Sequence, residues 1–167
     1  AARRALELAG LEPDQVGAII CSSFLPDQLG VGNAVPLAKA LGTKRPAWNL
    51  EATCASWIVA FQTACALVQA GHYESVLVVV SCTYSRVADE ADSLSWFTGD
   101  AAAAFVVGRV PEGEGFLGAA TQSTTETCGT FYYEFSPTEE RPDRIVMRCT
   151  PETGRGIHET SLPHLKA

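Results

Sequence analysis

Apolar residues fall along this chain in two kinds of block. At the start, Ala2, Ala5, Leu6 and Ala9 recur at helical spacing and the run stops at Gly10, which predicts a short helix. The LEPDQ segment that follows carries turn chemistry in its Pro and Asp. VGAIIC (16–21) is continuously apolar and short enough for a buried strand; a loop with Pro26, Gly30 and Gly32 leads to a predicted helix over 34–41, closed by Gly42. A second short strand is expected at 46–50. The stretch 54–71, CASWIVAFQTACALVQAG, is almost free of charge, and a helix apolar on nearly every side belongs in a core or at a subunit interface. SVLVVVS (75–81) reads as a strand inside a parallel sheet covered on both faces. A polar loop over 83–95 precedes another expected buried strand at 101–107, and one more is expected at 115–121. Between 124 and 144 no period stands out, and the tail from 154 reads as the start of a helix.

Helices alternating with short, wholly apolar strands predict an α/β architecture. The 167 residues allow one ordinary domain or a piece of a larger one. The chain opens within a helical pattern with no Ser, Thr, Asp or Asn before it and ends at Leu165-Lys-Ala, so the expectation is a segment with sequence missing at both ends. A 47% hydrophobic, 19% charged composition is that of a core-forming chain and excludes disorder. Twelve Lys+Arg against 19 Asp+Glu give a net charge of -7, so no broad positive field is available for a phosphate backbone and nucleic acid is not an expected partner. Apolar runs such as 76–80 and 101–107 are too short to cross a bilayer. The six cysteines include no CxxC pair, which removes zinc-ribbon and thioredoxin readings; no metal is expected, and the expected setting is reducing and cytoplasmic.

The chemistry-bearing candidate is Cys54. It follows the strand-like Trp48–Glu51 segment and opens the long helix, where unpaired backbone N–H groups and the helix dipole favour a thiolate. Ala52, Thr53, Ala55 and Ser56 are small, so a tight turn can present the sulfur. A nucleophile at a strand–helix junction suits covalent acyl transfer from a thioester; a small buried hydrophobe is the plainer alternative. Cys65 lies about three helical turns away, roughly 16 Å, too far for a shared site. Cys21 and Cys82 are expected in the core, and Cys128 and Cys149 are assigned nothing.

The segment NLEATCASW (49–57) resembles the nucleophile segment of the ketoacyl synthase III condensing enzymes, members of the thiolase-like superfamily, and FTGDAAAAFVV (97–107) resembles that family's Gly-Asp-Gly-Ala-Gly-Ala motif and the strand after it. The first helix–turn–strand and SVLVVVS occur in the order the resemblance requires. It implies a thiolase-like layered αβαβα fold of which residues 1–167 form roughly the first half. Departures are Asn49 in place of Asp, Ser56 in place of the Gly after the nucleophile, and Ala101 in place of Gly; Ser56 and Ala101 are expected to narrow or reshape the site.

The resemblance further implies that Cys54 takes an acyl group from acyl-coenzyme A or an acyl carrier protein. A malonyl-derived carbanion would then resolve the acyl-enzyme in a decarboxylative condensation, or an alcohol or amine would in a plain acyl transfer. Coenzyme A or phosphopantetheine enters as substrate and no further cofactor is implied. Phe97 and Thr98 match acyl-pocket positions, and Leu29 matches a bulky residue inserted by the partner in a homodimer; ordinary packing is the alternative for Phe97 and Leu29. The catalytic His and Asn or Asp of the family belong to a later part of the sequence. His72 reads as a helix-end or surface residue, His158 as surface, core or facing the acyl pocket, and neither they nor His164 as the general base. Arg3-Arg4 and Lys44-Arg45 are candidate basic contacts for an acidic carrier protein, or solvated charge. The competing functional readings are a non-catalytic thiolase-fold subunit or interaction partner, and another thiolase-superfamily enzyme of chalcone-synthase-like or degradative type.

Overall fold

A computed structural model describes residues 1–28, 30–123 and 125–164, which divide into two compact units: Ala1–Thr83 with Gly99–Ala119, and Tyr84–Thr98 with the segment from Ala120 onward.

The first unit is a four-stranded sheet with helices on both faces. In chain order it contains α1 (Ala2–Ala9), β1 (Ala18–Ser23), α2 (Ala34–Leu41), β2 (Ala47–Asn49), α3 (Ser56–Gln69), β3 (Ser75–Thr83) and β4 (Asp100–Gly108). The strand order is β2-β1-β3-β4, with β1 parallel to both β2 and β3 and β4 antiparallel to β3. The expected α/β class is present, though the sheet is mixed rather than wholly parallel. β1 and β3 are rich in β-branched residues and pair in the register Ile20↔Val78, and alternation along each strand sends successive side chains to opposite faces. Ala18, Ile20, Val76 and Val78 pack with Ala60, Ala64, Cys65 and Val68 of α3. Ile19, Leu77 and Val79 face the other way, onto Ala2 and Leu6 of α1 and Ala38 and Leu41 of α2. Two dry layers therefore share one sheet, which is why both strands read as unbroken apolar runs.

α1 stops at Gly10, whose left-handed φ of 66° turns its N–H onto the Glu7 carbonyl while Leu11 N–H reaches Leu6 O. α2 spans the predicted residues and ends at Gly42.

Two strand expectations fail. β4 is an edge strand whose alanines 101–103 are exposed and of which only Val107 is buried, because small side chains at a sheet edge cannot draw cover over themselves. No strand forms at 115–121: Phe116 turns onto Phe61, ring centroids 5.4 Å apart, and its carbonyl accepts from Gln69 Nε2 instead of a neighbouring strand. The long helix begins at Ser56, directly after the turn at Thr53–Ala55, and Trp57 and Ile58 on its outer side lie about half exposed.

The second unit holds β5 (Phe131–Phe135), β6 (Ile145–Cys149) and α4 (Glu152–His164), with 3-10 turns at Tyr84–Arg86 and Ser93–Phe97 in the segment expected as plain loop. β5 and β6 pair antiparallel, Tyr133 opposite Met147. Met147 N–H donates to the carbonyl of buried Val87, and Asp89 binds Arg148 and, at 3.3 Å, Arg144, while Arg148 Nε donates to Glu134 at 2.7 Å. The hydrogen bond from Arg148 above all, then the backbone N–H of Ala91 and the two guanidinium charges, hold the Asp89 carboxyl below its ordinary range. A carboxylate with a depressed folded value stabilises the folded state above its unfolded value of about 4, and that contribution is lost as pH falls through the folded value. The urea midpoint of this unit should therefore drop in Asp89→Asn at neutral pH, and the two proteins should converge as pH falls below about 4. A constant gap down to pH of about 2 would rule the linkage out.

Candidate active site

The geometry around Cys54 starts from the parallel pairing of β1 and β2. Leu50 N–H donates to Cys21 O at 3.0 Å and carries the pairing one residue past β2. The chain then breaks: Ala52 takes φ -146°, ψ 37°, and Thr53 takes φ 49°. Thr53 is the sole non-glycine residue with positive φ among the described residues. A β-branched residue in the left-handed region stores about 1–3 kcal/mol of strain and persists only where the surroundings hold it. Thr53–Ala55 form a single 3-10 turn, closed by Ala55 N–H to Ala52 O at 3.1 Å, and α3 follows at once. Cys54 thus sits in the turn before the helix, with its side chain exposed. Within this chain Cys54 is thus not enclosed in the core, unlike Cys21 and Cys65.

Ser56, expected to narrow or reshape the site, points away from solvent. It is 2% exposed and turned inward: its Oγ accepts from Ala52 N–H at 2.8 Å and lies 2.6 Å from both Glu51 Oε1 and the Thr53 carbonyl. Ser22 Oγ of β1 lies 3.4 Å from the other Glu51 oxygen. Asn49 performs a separate task. Its Oδ1 accepts from the backbone N–H groups of Asn33 and Ala34, each at 3.0 Å, at the start of α2, and its Nδ2 donates to Val31 O at 3.3 Å. A carboxylate could accept the first two bonds but could not make the third, which gives Asn rather than Asp a physical reason here. The side chain also occupies the space over Gly32, where φ is 72° and an added Cβ would fall 2.2 Å from Nδ2.

The other predicted residues are placed as follows. Phe97 and Thr98 belong to the second unit, at the end of the Ser93–Phe97 turn; Phe97 is 84% exposed and Thr98 Oγ1 donates to Ser95 O at 3.2 Å. Leu29 lies outside the described residues. His72 is exposed just past α3, its N–H bonded to Leu67 O, and His158 is exposed on α4. His164 closes α4. Arg45 Nε donates to Asp14 O at 2.6 Å and Arg3 to Ala40 O, so each candidate basic pair has one member engaged with its own chain. Among the described residues no group of three or more His, Cys, Asp and Glu could hold a metal ion, and no helix is long and apolar enough to cross a membrane.

All six cysteines are free. Burial, reinforced by the negative Glu51, pushes the Cys21 thiol up to about 11, and burial also raises Cys65. Cys82, expected in the core, is only half-buried, its thiol 3.7 Å from Gly99 O near the end of β3. Iodoacetamide at pH of about 8 should therefore label Cys54 and Cys128 in the folded protein and spare Cys21 and Cys65 until denaturant is added. Peptide mass mapping reads the pattern, and native labelling of Cys21 as fast as Cys54 would contradict it.

Glu51 and the inward Ser56 are functional candidates that periodicity does not mark; an acidic residue five positions before a serine that opens a helix is the available signal.

Residues 48–125 match the family described as 3-Oxoacyl-[acyl-carrier-protein (ACP)] synthase III. The chain is 35% identical over 119 residues to a beta-ketoacyl-[acyl-carrier-protein] synthase III of Bacillus anthracis, covering 70% of this chain and 38% of that protein. It is 33% identical over 153 residues to the synthase III of Laribacter hongkongensis, covering 90% of this chain and 46% of that one. It thus spans less than half the length of these curated relatives. Among solved structures, the priming beta-ketosynthase of the R1128 polyketide biosynthetic pathway superposes with a TM-score of 0.81 at 27% identity, over 98% of this chain and 51% of that chain.

Proposed function

Taking as premise that this chain is 3-oxoacyl-[acyl-carrier-protein] synthase III-like, with part of a thiolase-like fold, we propose that Cys54 is the nucleophile of an acyl-thioester condensing enzyme. The observation that carries this reading is a solvent-reachable thiol on a strained turn between a strand and a helix, within the matched segment. The Cys54 sulfur attacks the thioester carbonyl of an acyl-coenzyme A or acyl carrier protein. The tetrahedral adduct collapses with expulsion of the coenzyme A or phosphopantetheine thiolate, which takes up a proton, and the acyl group stays on sulfur. A malonyl thioester then loses carbon dioxide and its carbanion attacks the acyl-enzyme, or an alcohol or amine takes the acyl group; in both outcomes the Cys54 thiolate leaves. The names of the relatives, beta-ketoacyl synthases and a priming ketosynthase, favour condensation.

Phe97 and Thr98 are proposed as acyl-binding residues and Leu29 as the residue given to a homodimeric partner's site. Lys44 and Arg45 are the proposed contact for an acidic carrier protein, with cytoplasm as the setting.

Intact-mass analysis of the protein carrying this chain, incubated with acyl-coenzyme A, tests the central step. One acyl group should be gained by the wild type and none by Cys54→Ala. An adduct that survives the substitution would sink the assignment.

A further inference from the structure

We propose that Ser56 and Glu51 are positioning residues that hold the Cys54 thiol in the orientation from which it attacks a thioester; the proposal rests on the acyl-enzyme reading above. Residues 52–54 cannot keep their shape by local preference, since Thr53 stands at φ 49°, where its branched Cβ is crowded by its own backbone. Something must hold it, and the only buried side chain of the turn is Ser56. Its Oγ accepts from Ala52 N–H at 2.8 Å, and its single proton is shared between two acceptors at 2.6 Å, the Thr53 carbonyl and Glu51 Oε1, so it ties together the peptides on both sides of the strained residue. The Thr53 carbonyl is gripped a second time by the backbone N–H of Ser56.

Glu51 connects this grip to the sheet. One of its oxygens lies 2.6 Å from Ser56 Oγ and the other 3.4 Å from Ser22 Oγ, and Ser22 is itself 2% exposed in β1. A continuous polar chain thus runs from the sheet through Glu51 and Ser56 to the backbone that carries the thiol. Removing the Ser56 hydroxyl leaves Ala52 N–H without its acceptor and lets Thr53 relax to negative φ, which rotates the following peptide and Cys54 with it. The serine stands where the resembling pattern has glycine, so this bracing belongs to the present chain.

The test is single-turnover acylation by acyl-coenzyme A, followed by intact mass, beside iodoacetamide alkylation of Cys54, which needs an exposed thiol but no attack geometry. Ser56→Ala and Glu51→Ala should each lower the acylation rate constant by about tenfold or more with half-saturation within about twofold, while alkylation stays within about threefold. Ser56→Thr and Glu51→Gln, which keep a hydroxyl and an acceptor oxygen, should recover most of the loss. Wild-type acylation in Ser56→Ala would overturn the proposal. So would a parallel fall in acylation and alkylation, which would mean that the turn had merely been buried or unfolded. A wild-type protein alkylated at Cys54 but never acylated would instead refute the acyl-enzyme reading, and this proposal with it.

Discussion

Cys54→Ser should abolish thioester turnover while leaving the protein as stable as before. The hydroxyl can be accommodated on an exposed 3-10 turn, where neither sulfur nor oxygen contributes to the core, so folding free energy should change by less than about 0.5 kcal/mol. Chemistry is another matter. A thiol supplies some thiolate near neutral pH and attacks thioesters well, whereas a serine hydroxyl needs a base to remove its proton during attack. The expected loss is about a thousandfold or more in kcat/KM, or about 4 kcal/mol of transition-state stabilisation. Coenzyme A release measured beside a thermal midpoint checks both halves. A variant that retained a tenth of the wild-type rate would remove Cys54 from the reaction, and one that lost activity only by unfolding would say nothing for its role as nucleophile.

The largest loss of stability should come from Leu77→Ala. Leu77 is fully buried in β3, flanked in the sheet by Ile19 of β1 and Val106 of β4, and packed with residues of α1 and α2. Truncation removes apolar contacts and leaves a cavity that a layer clamped between sheet and helices cannot collapse, at a cost of about 3–5 kcal/mol. Against a total of about 5–15 kcal/mol for an ordinary domain, that is a large fraction. Leu8→Ala is the matched control: the same atoms are removed from a side chain 78% exposed on α1, and the change should stay within about 0.5 kcal/mol. Denaturant midpoints for the two variants decide the matter, and equal shifts would mean that the two-layer core is wrongly described.

The contrast between these residues also explains what the sequence made legible. Wherever periodicity and a stop residue coincided, the reading was close: α1 and α2 end at Gly10 and Gly42, and β3 was visible because burial on both faces leaves no polar position to blur it. The same logic misled at β4. An unbroken apolar run signals burial only if the side chains are large, and AAAAFVV is half alanine on an edge. The β5–β6 pair escaped because FYYEF alternates over only five residues and nine polar-rich positions, 136–144, separate it from its partner without a short hairpin turn. At the candidate site, the exposed turn that carries Cys54 was legible from its neighbours, small residues between a strand and an apolar helix. Its setting was not. That Thr53 would adopt positive φ, and that Ser56 would face inward to hold it there, follows from hydrogen bonds to Ala52 and Glu51 that no spacing rule announces.

Asn49 and Gly32 carry a consequence for anyone who redesigns this chain. Because an atom added at position 32 would occupy the volume of the Asn49 amide, the two positions behave as one two-letter word rather than two independent letters. A library that varies residue 49 alone will keep returning residues that can both donate and accept a hydrogen bond, while one that varies residue 32 alone will return glycine; only joint randomisation can find a different spelling of the entrance to α2.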